Sequence, residues 1–401
     1  TIPCTCNGFY FRVDSVGDAE VDTPYASDQL RMVVTELVRP GRTFTLTWTP
    51  ERIGNWLFHC HVLPHTSPQQ RYWKGAAASS GHDMSDHARD GMAGLVVGVT
   101  ILPNNRAMDK PARPRAATRN LELRATELPG FFGADPGMAF VIAKPGTAFR
   151  PTIPGPPLVL TQGQPTAIRI VNQISEPLAV HWHGIELESY YDGVPGVSGS
   201  DQQLLRAIEP GGSFVAQFTP PRAGTFIYHS HFDDLKQLSS GLYGPLIVLP
   251  RGKTFDPDAD RVLVISRAGP GETPIWLNGS RAPVMPALRA GRTYRLRIIN
   301  IVPENPPVNV SLTLGESPIM WRPIAKDGAD LPASQQELAQ ARLTIAVGET
   351  YDFELRAGET GDLTIEVVRP ANRFPAEITP SGKAVELRPA SGVAVKVPIR
   401  R

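Results

Sequence analysis

The clearest pattern along the chain is an alternation of apolar and polar residues with a period of two in short runs. It is present at positions 43–48 and again at 213–218. Because successive side chains of a β-strand point to opposite faces, this period of two predicts strands with one face in a core. The runs are separated by turn residues, and the chain has 36 glycines and 40 prolines. The pattern predicts an all-β protein without long amphipathic helices.

The strands recur in a repeated order. Residues 41–61 (GRTFTLTWTPERIGNWLFHCH) resemble residues 211–231 (GGSFVAQFTPPRAGTFIYHSH), and both end in His-x-His. A weaker copy without histidines occupies 348–367, and residues 161–184 resemble 289–311. Such self-similarity is typical of tandem domains, here Greek-key β-sandwiches.

The repeats divide the chain into three predicted domains, 1–103, 118–252 and 253–401. The polar, proline-containing stretch 104–117 between the first two is predicted to be a linker. Lys and Arg total 40 against 39 Asp and Glu, so no basic surface for nucleic acid is expected. No apolar run reaches the roughly 20 residues that span a bilayer, so no membrane segment is predicted.

Histidine is unevenly distributed. Seven of the nine histidines fall in three short clusters, and none follows His231. In the first cluster, strand alternation sends the side chain of Cys60 to one face and those of His59 and His61 to the other. Imidazole and thiolate together suit copper, zinc or iron–sulfur sites, but zinc sites usually carry paired Cys-x-x-Cys or His-x-x-x-His units. One strand could therefore join two metal sites, with His65 on the side of Cys60.

Two further motifs are His181-Trp-His183-Gly, followed by Asp192-Gly-Val-Pro, and His229-Ser-His231. Together with the His-Cys-His triplet they resemble the multicopper oxidases, the laccase-like family. The resemblance implies tandem cupredoxin-like β-sandwiches, a type 1 copper and a trinuclear copper cluster.

The resemblance also implies a role for each of these residues. Cys60 and His65 would bind the type 1 copper, and His181 would bind the type 2 copper. The type 3 copper pair would be bound by His59, His61, His183, His229 and His231. Asp192 would be a proton donor or a carboxylate near the cluster, although an Asp-Gly turn residue explains it equally well.

Two residues are candidates for the axial ligand of the type 1 copper. Met92 would take this role if residues 66–90 are an insertion, and the alternative for it is a core methionine. Gln70 stands ten residues after the cysteine, where the family usually has its methionine, and glutamine can serve in blue copper sites. The insertion contains two histidines within 81–87, which form either an accessory copper-collecting loop or a mobile polar loop.

The beginning of the chain departs from the family. Where the family has HPxHLHG, residues 2–8 read IPCTCNG, with Thr5 and Asn7 in the places of two cluster histidines. We expect a truncated first domain whose start is frameshifted. The alternatives are that Cys4 and Cys6 are soft metal ligands, or that this segment is a frayed end without a role. Because an incomplete domain leaves strand edges unpaired, a homo-oligomer is also expected.

The resemblance therefore predicts a periplasmic or secreted copper oxidase. It would take single electrons from phenols, aromatic amines or metal ions and would reduce dioxygen to water. A copper-binding or copper-tolerance protein without activity, or an inactive fragment, is the alternative, because only six of the eight trinuclear histidines are present. A copper nitrite reductase is disfavoured by the His-Cys-His triplet, since that class has one histidine beside the cysteine.

Overall fold

The computed structural model of the chain is built almost entirely of β-strands, which confirms the predicted fold class. Its described residues are 2–62, 65–66, 87–92, 94–103, 119–133, 135–143, 150–267, 269, 274–371 and 390–401. Across these ranges the strands form three pairs of facing sheets. No helix among them has the length and apolar character needed to cross a membrane. The predicted linker, 104–117, and Gln70 lie outside the described residues.

The first pair of sheets is formed mainly by residues 2–101. Its elements are β1 (Ile2–Cys6), β2 (Phe11–Gly17), β3 (Asp22–Pro24), β4 (Arg31–Val33), β5 (Thr35–Val38), β6 (Thr43–Thr47), β7 (Gly54–Cys60), the helix α1 (His87–Asp90) and β8 (Val96–Ile101). In one sheet β2 pairs with β3, β4 and β6, and in the other β7 lies between β1 and β8. Phe11, Val13 and Trp56 pack between the two sheets, so the apolar face of β7 is its even-numbered face.

The second pair is formed by residues 119–249. Its elements are β9 (Arg119–Phe132), β10 (Asp135–Ala143), β11 (Leu158–Thr161), β12 (Thr166–Gln173), β13 (Val180–His183), β14 (Gly199–Ser200), β15 (Gln203–Leu204), β16 (Ser213–Phe218), β17 (Gly224–Ser230), the helix α2 (Asp234–Ser240) and β18 (Tyr243–Leu249), with a 3-10 turn at Ser189–Tyr191. The sheet orders are β10-β9-β12-β16 and β11-β18-β17-β13. The short strand β14 pairs with β7 through Gly199 and Asn55, which ties this unit to the first.

The third pair is formed by residues 260–400. Its strands are β19 (Asp260–Arg267), β20 (Ile275–Leu277), β21 (Leu288–Arg289), β22 (Thr293–Asn300), β23 (Val308–Leu314), β24 (Ser317–Pro318), β25 (Met320–Lys326), β26 (Ala329–Asp330), β27 (Ala339–Gln340), β28 (Arg342–Ile345), β29 (Thr350–Arg356), β30 (Gly361–Arg369) and β31 (Ser391–Arg400), with a 3-10 turn at Ala333–Gln335. Its core is separate from the others and includes Trp321 stacked on Phe353 at 3.7 Å.

Buried polar contacts join the third unit to the first. The Asp327 carboxylate accepts hydrogen bonds from the backbone N–H groups of Val34, Thr35 and Thr350 at 2.9 to 3.1 Å. Beside it, Lys326 forms ion pairs with two buried carboxylates, those of Glu36 at 3.1 Å and Glu349 at 2.8 Å. Because a buried charge is costly without a partner, these contacts hold β5 and the loop before β29 in a fixed relation.

Candidate metal centre

The strand β7 presents its histidines on the face opposite its apolar core. Trp56 packs into the first core, and by alternation the side chains of His59 and His61 leave the other face. On that face they meet β13 and β17, whose antiparallel register places His181 directly opposite His229. Three strands from different parts of the sequence therefore bring histidines to one place.

The six predicted cluster histidines converge in the interior. Their side chains are all at most 4% exposed. The ring of His61 lies 4.9 Å from that of His183 and 5.7 Å from that of His229, measured between centroids. The ring of His231 lies 5.4 Å from that of His181 and 5.8 Å from that of His59.

Three of these residues form the tightest donor group. One ring nitrogen from each of His61, His183 and His229 lies within 4.8 Å of those of the other two. Three imidazoles at this separation can share one transition-metal ion, and imidazole suits copper, zinc, iron and nickel.

Backbone hydrogen bonds fix the orientation of three rings. Nδ1 of His181 donates to the Asp192 carbonyl at 2.6 Å, and Nδ1 of His229 donates to the Ser230 carbonyl at 2.7 Å. His59 makes the same bond to the Cys60 carbonyl at 2.9 Å. A carbonyl oxygen only accepts, so Nδ1 carries the proton and Nε2 keeps its lone pair, as a metal ligand requires. Nε2 of His181 and of His229 are buried without a hydrogen-bond partner within the described ranges.

Burial also favours the neutral imidazole. It lowers the pKa of His59 and of His181 to about 4 and that of His229 to about 3, because a charged ring loses its hydration in the interior. The same cause holds the pKa of His61, His183 and His231 well below the ordinary value. Neutral rings with inward lone pairs can bind a metal ion without first losing a proton.

Thr5 and Asn7, which stand in two histidine positions of the family motif, line the same place. Asn7 is 1% exposed, and its amide Oδ1 lies 3.2 Å from Nε2 of His59. Thr5 is fully buried and its hydroxyl lies 3.1 Å from that of Thr35, which in turn lies 3.3 Å from Nε2 of His183. The described donor set is therefore six histidines flanked by an amide and two hydroxyls.

The second predicted site is partly assembled. Sγ of Cys60 lies 3.4 Å from Nδ1 of His65 and accepts from the Val62 N–H at 3.4 Å. Burial raises the pKa of the Cys60 thiol to about 12, so the group is a thiol unless a metal ion displaces its proton. Cys4 lies directly across the strand pair from Cys60, whereas Cys6 packs in the first apolar core.

Met92, the predicted axial ligand, is buried in a different place from the cysteine. It packs with Leu57 and Val194, whereas Cys60 packs with Val62 and Val347. Leu57 leaves β7 on the same face as His59 by alternation, so Met92 approaches the strand from the histidine side. Its role as axial ligand stays a prediction.

Asp192 lies beside His181 and in an Asp-Gly turn, and its role as a proton donor stays a prediction. Its carbonyl orients His181, and its carboxylate oxygen lies 3.5 Å from Nδ1 of the same ring. Burial raises the pKa of this carboxyl group to about 7. The following glycine, at φ +93°, lies against the Val180 carbonyl, so the turn admits no side chain there.

Three residues at the site were not among the predicted ones. A Cβ on Gly348 would lie 3.0 Å from the His61 ring, so the third unit closes one side of the cluster. Thr35 contacts His183, and His87 is buried with its ring 5.6 Å from that of His231. A threonine within a strand gives no sequence signal, whereas His87 belongs to the histidine-bearing insertion. The rest of that loop, 81–86, lies outside the described residues.

Comparison with known proteins finds the same family at two segments of the chain. A multicopper oxidase family model matches residues 141–253, and a second one matches residues 7–70. Two segments of the chain are therefore similar to multicopper oxidase domains. The matched segments contain all six cluster histidines together with Cys60 and His65.

Among the curated relatives, copper resistance protein A of Pseudomonas syringae is 36% identical over 115 residues, covering 28% of this chain and 18% of the relative. Laccase-2 of Cryptococcus neoformans is 32% identical over 154 residues, covering 36% of this chain and 23% of the relative. The matched region thus spans about a fifth of the length of these curated relatives.

Solved structures share the fold. The chain superposes on a variant of the multicopper oxidase McoA from Aquifex aeolicus with a TM-score of 0.51 and 18% identity, covering 71% of this chain and 63% of that one. A multicopper oxidase from Pseudomonas thermotolerans gives a TM-score of 0.50 and 23% identity over 71% and 65% of the two chains.

The donor set fits the family's cofactor, copper. Unpartnered buried nitrogens, Nδ1 of His61 and His183 and Nε2 of His181 and His229, are what a bound ion would satisfy in the described interior. A cysteine beside a histidine is a second donor set that copper accepts.

Proposed function

We propose that the chain is a copper-dependent oxidase of the laccase type, which takes single electrons from phenols, aromatic amines or metal ions and reduces dioxygen to water. The observation that carries the proposal is the convergence of His61, His183 and His229, with nitrogen atoms within 4.8 Å of one another in the interior. Copper, when bound, supplies one-electron redox chemistry and a place for dioxygen.

The residues divide into two groups with separate tasks. Cys60 and His65 would hold a copper ion near the reductant. The other group would hold copper at the site of dioxygen reduction; it consists of His59, His61, His181, His183, His229 and His231. Cys60 is bonded through the backbone to both of its histidine neighbours, and its carbonyl accepts from the His59 ring. The two groups are therefore connected by one short stretch of chain.

The neighbouring residues orient ligands and keep out water. Backbone carbonyls hold three of the rings, and Asp192 places a buried carboxyl group with a raised pKa beside His181. Such a group can hold a proton near neutral pH and release it close to the site. Gly348 and Thr35 close the cluster on the side of the third unit.

The test is oxygen uptake by the purified, copper-loaded chain with a phenol as reductant. Uptake that depends on copper and is lost in His229→Gln supports the oxidase. Bound copper without uptake would contradict the oxidase and leave copper binding alone. Reduction of nitrite to nitric oxide instead would identify a nitrite reductase.

The proposal includes the setting of the reaction. We propose a periplasmic or secreted protein whose partners are dioxygen and a small-molecule or metal-ion reductant, and which forms a homo-oligomer. Cell fractionation tests the periplasmic or secreted location, and light scattering on the purified chain tests the oligomeric state. Recovery in the cytosolic fraction, or a monomer at all concentrations, would contradict them.

The domain division is also proposed. Residues 1–103, 118–252 and 253–401 would be separate domains, joined in the first case by the linker 104–117. The apolar clusters that lie wholly within the first and the third unit support this division. Limited proteolysis should cut first within the linker, and early cleavage inside 118–252 would contradict the division.

A further inference from the structure

His87 is a described histidine that the proposed metal sites do not use. It is the first residue of α1 and is 4% exposed. Its ring stacks on that of Phe232, with 5.8 Å between centroids and 22° between planes. Its Nε2 lies 3.4 Å from Nδ1 of His231, within reach of a hydrogen bond.

His231 differs from its neighbours in what faces its outer nitrogen. For His59, His181 and His229, Nδ1 donates to a backbone carbonyl at 2.6 to 2.9 Å. Nδ1 of His231 instead faces two side chains, Nε2 of His87 at 3.4 Å and a carboxylate oxygen of Asp234 at 3.6 Å. For His231, side chains therefore take the position that a backbone carbonyl has beside the other three rings.

We propose that His87 is a positioning residue that accepts the Nδ1 proton of His231 and so holds its Nε2 lone pair toward the copper cluster. Metal-binding histidines nearly always donate their second N–H to an acceptor, which fixes the tautomer and the ring plane. In this arrangement His87 carries its own proton on Nδ1 and accepts through Nε2. The proposal rests on the copper-binding part of the proposed function.

The residues that follow His87 leave little room beside its ring. A Cβ on Gly91 would lie 2.7 Å from Nδ1 of His87, so any larger residue at that position displaces the imidazole. The N–H groups of Gly91 and Met92 both donate to the His87 carbonyl, at 2.8 and 3.1 Å. These two hydrogen bonds close the turn that follows His87.

His87 also stands at the wall of a large open cavity. The cavity has a volume of about 1280 Å³ and is lined by His87, Phe232, Tyr190 and Phe214 among others. His231 itself is only 1% exposed. The imidazole of His87 therefore lies between the cavity and His231. Without it, Nδ1 of His231 would be exposed to water from the cavity.

Copper affinity of His87 variants tests the proposal. Affinity is measured by competition with a chelator, together with the electron paramagnetic resonance spectrum and the melting temperature of the copper-free chain. His87→Leu removes the acceptor and keeps the volume, and we expect affinity to fall roughly ten- to a hundredfold with an altered spectrum. His87→Gln retains an acceptor oxygen and should bind within a few-fold of the wild type. Tyr190→Leu, at the wall of the same cavity but packed against Tyr191 and Phe214, is the matched control and should be unchanged.

Three results would overturn the proposed role of His87. Wild-type affinity and spectrum in His87→Leu would overturn the proposal, as would equal losses in His87→Gln and His87→Leu. If His87→Leu does not fold, Gly91→Ala replaces it, since it displaces the ring without removing it; unchanged affinity there overturns the proposal as well. A wild-type chain that binds no copper would instead contradict the proposed function, and the role of His87 would fall with it.

Discussion

The contact between Gly348 and His61 gives a sharp prediction about the third unit. Gly348 has φ +83°, and a Cβ there would lie 3.0 Å from Cγ and Cδ2 of His61. Alanine in this left-handed conformation costs about 1–2 kcal/mol. The added methyl group must also move the imidazole by a few tenths of an ångström, which is more than the roughly 0.2 Å tolerance of a metal–ligand distance.

The chain offers a matched control for the backbone part of this effect. Gly291 has φ +76°, and a Cβ there would meet no atom within 4 Å. Gly348→Ala and Gly291→Ala should therefore destabilise the copper-free chain by similar amounts, about 1–2 kcal/mol. Only Gly348→Ala should weaken copper binding, by about tenfold, which corresponds to about 1.4 kcal/mol.

The assay combines two measurements on both variants. Denaturant unfolding of the copper-free chains gives the backbone cost, and chelator competition gives the copper affinity. Wild-type affinity in Gly348→Ala would refute the idea that the third unit shapes the cluster. Equal loss of affinity in Gly291→Ala would show that the loss follows from general destabilisation.

Three further predictions concern the interior. Lys326→Met leaves the buried Glu349 without its cation, whereas Glu36 keeps Arg31 at 3.0 Å, and it should cost about 3–5 kcal/mol of unfolding free energy. Arg322→Met, at an exposed pair on the same strand, should cost under about 1 kcal/mol; equal losses would contradict this. The pKa values of about 4 for His59 and about 3 for His229 lie below the ordinary 6.5, so the unfolded chain takes up protons first as pH falls. Stability of the copper-free chain should therefore decline below pH 6.5, by about 1.4 kcal/mol per pH unit for each such histidine. Each buried carboxyl group with a raised pKa, such as those of Asp192 and Asp327, acts in the opposite direction, but the six buried cluster histidines outnumber them; a flat unfolding free energy down to pH 4 would be inconsistent. Asn7→His should raise the copper bound per chain, measured by elemental analysis, because it places a nitrogen donor beside His59; an unchanged copper content would count against this geometry.

The sequence predicts the fold and the main donor residues because both depend on strand alternation. β6 and β16 lie where the alternating runs at 43–48 and 213–218 predict them. The same alternation separates Cys60 from its two neighbours, and the register of β13 against β17 then brings His181 opposite His229. These are local properties of strands, which a single sequence carries.

Contacts that depend on how the units dock cannot be predicted in this way. Gly348 is adjacent to His61 only because Asp327 and Lys326 fix the third unit against the first. His87 reaches the cluster from an insertion, whose path sequence alternation does not determine. Met92 likewise depends on that path, and its burial beside Leu57 was not predictable from its spacing to Cys60.

We expect the buried histidines from β7, β13 and β17 to bind copper together. Copper quantification with electron paramagnetic resonance, on the purified chain after loading and dialysis, tests it most directly. We expect the wild type to retain copper with a defined spectrum, and a variant with glutamine at His61, His183 and His229 to lose it. A wild type that emerges free of copper, or a variant that retains as much, would contradict the account.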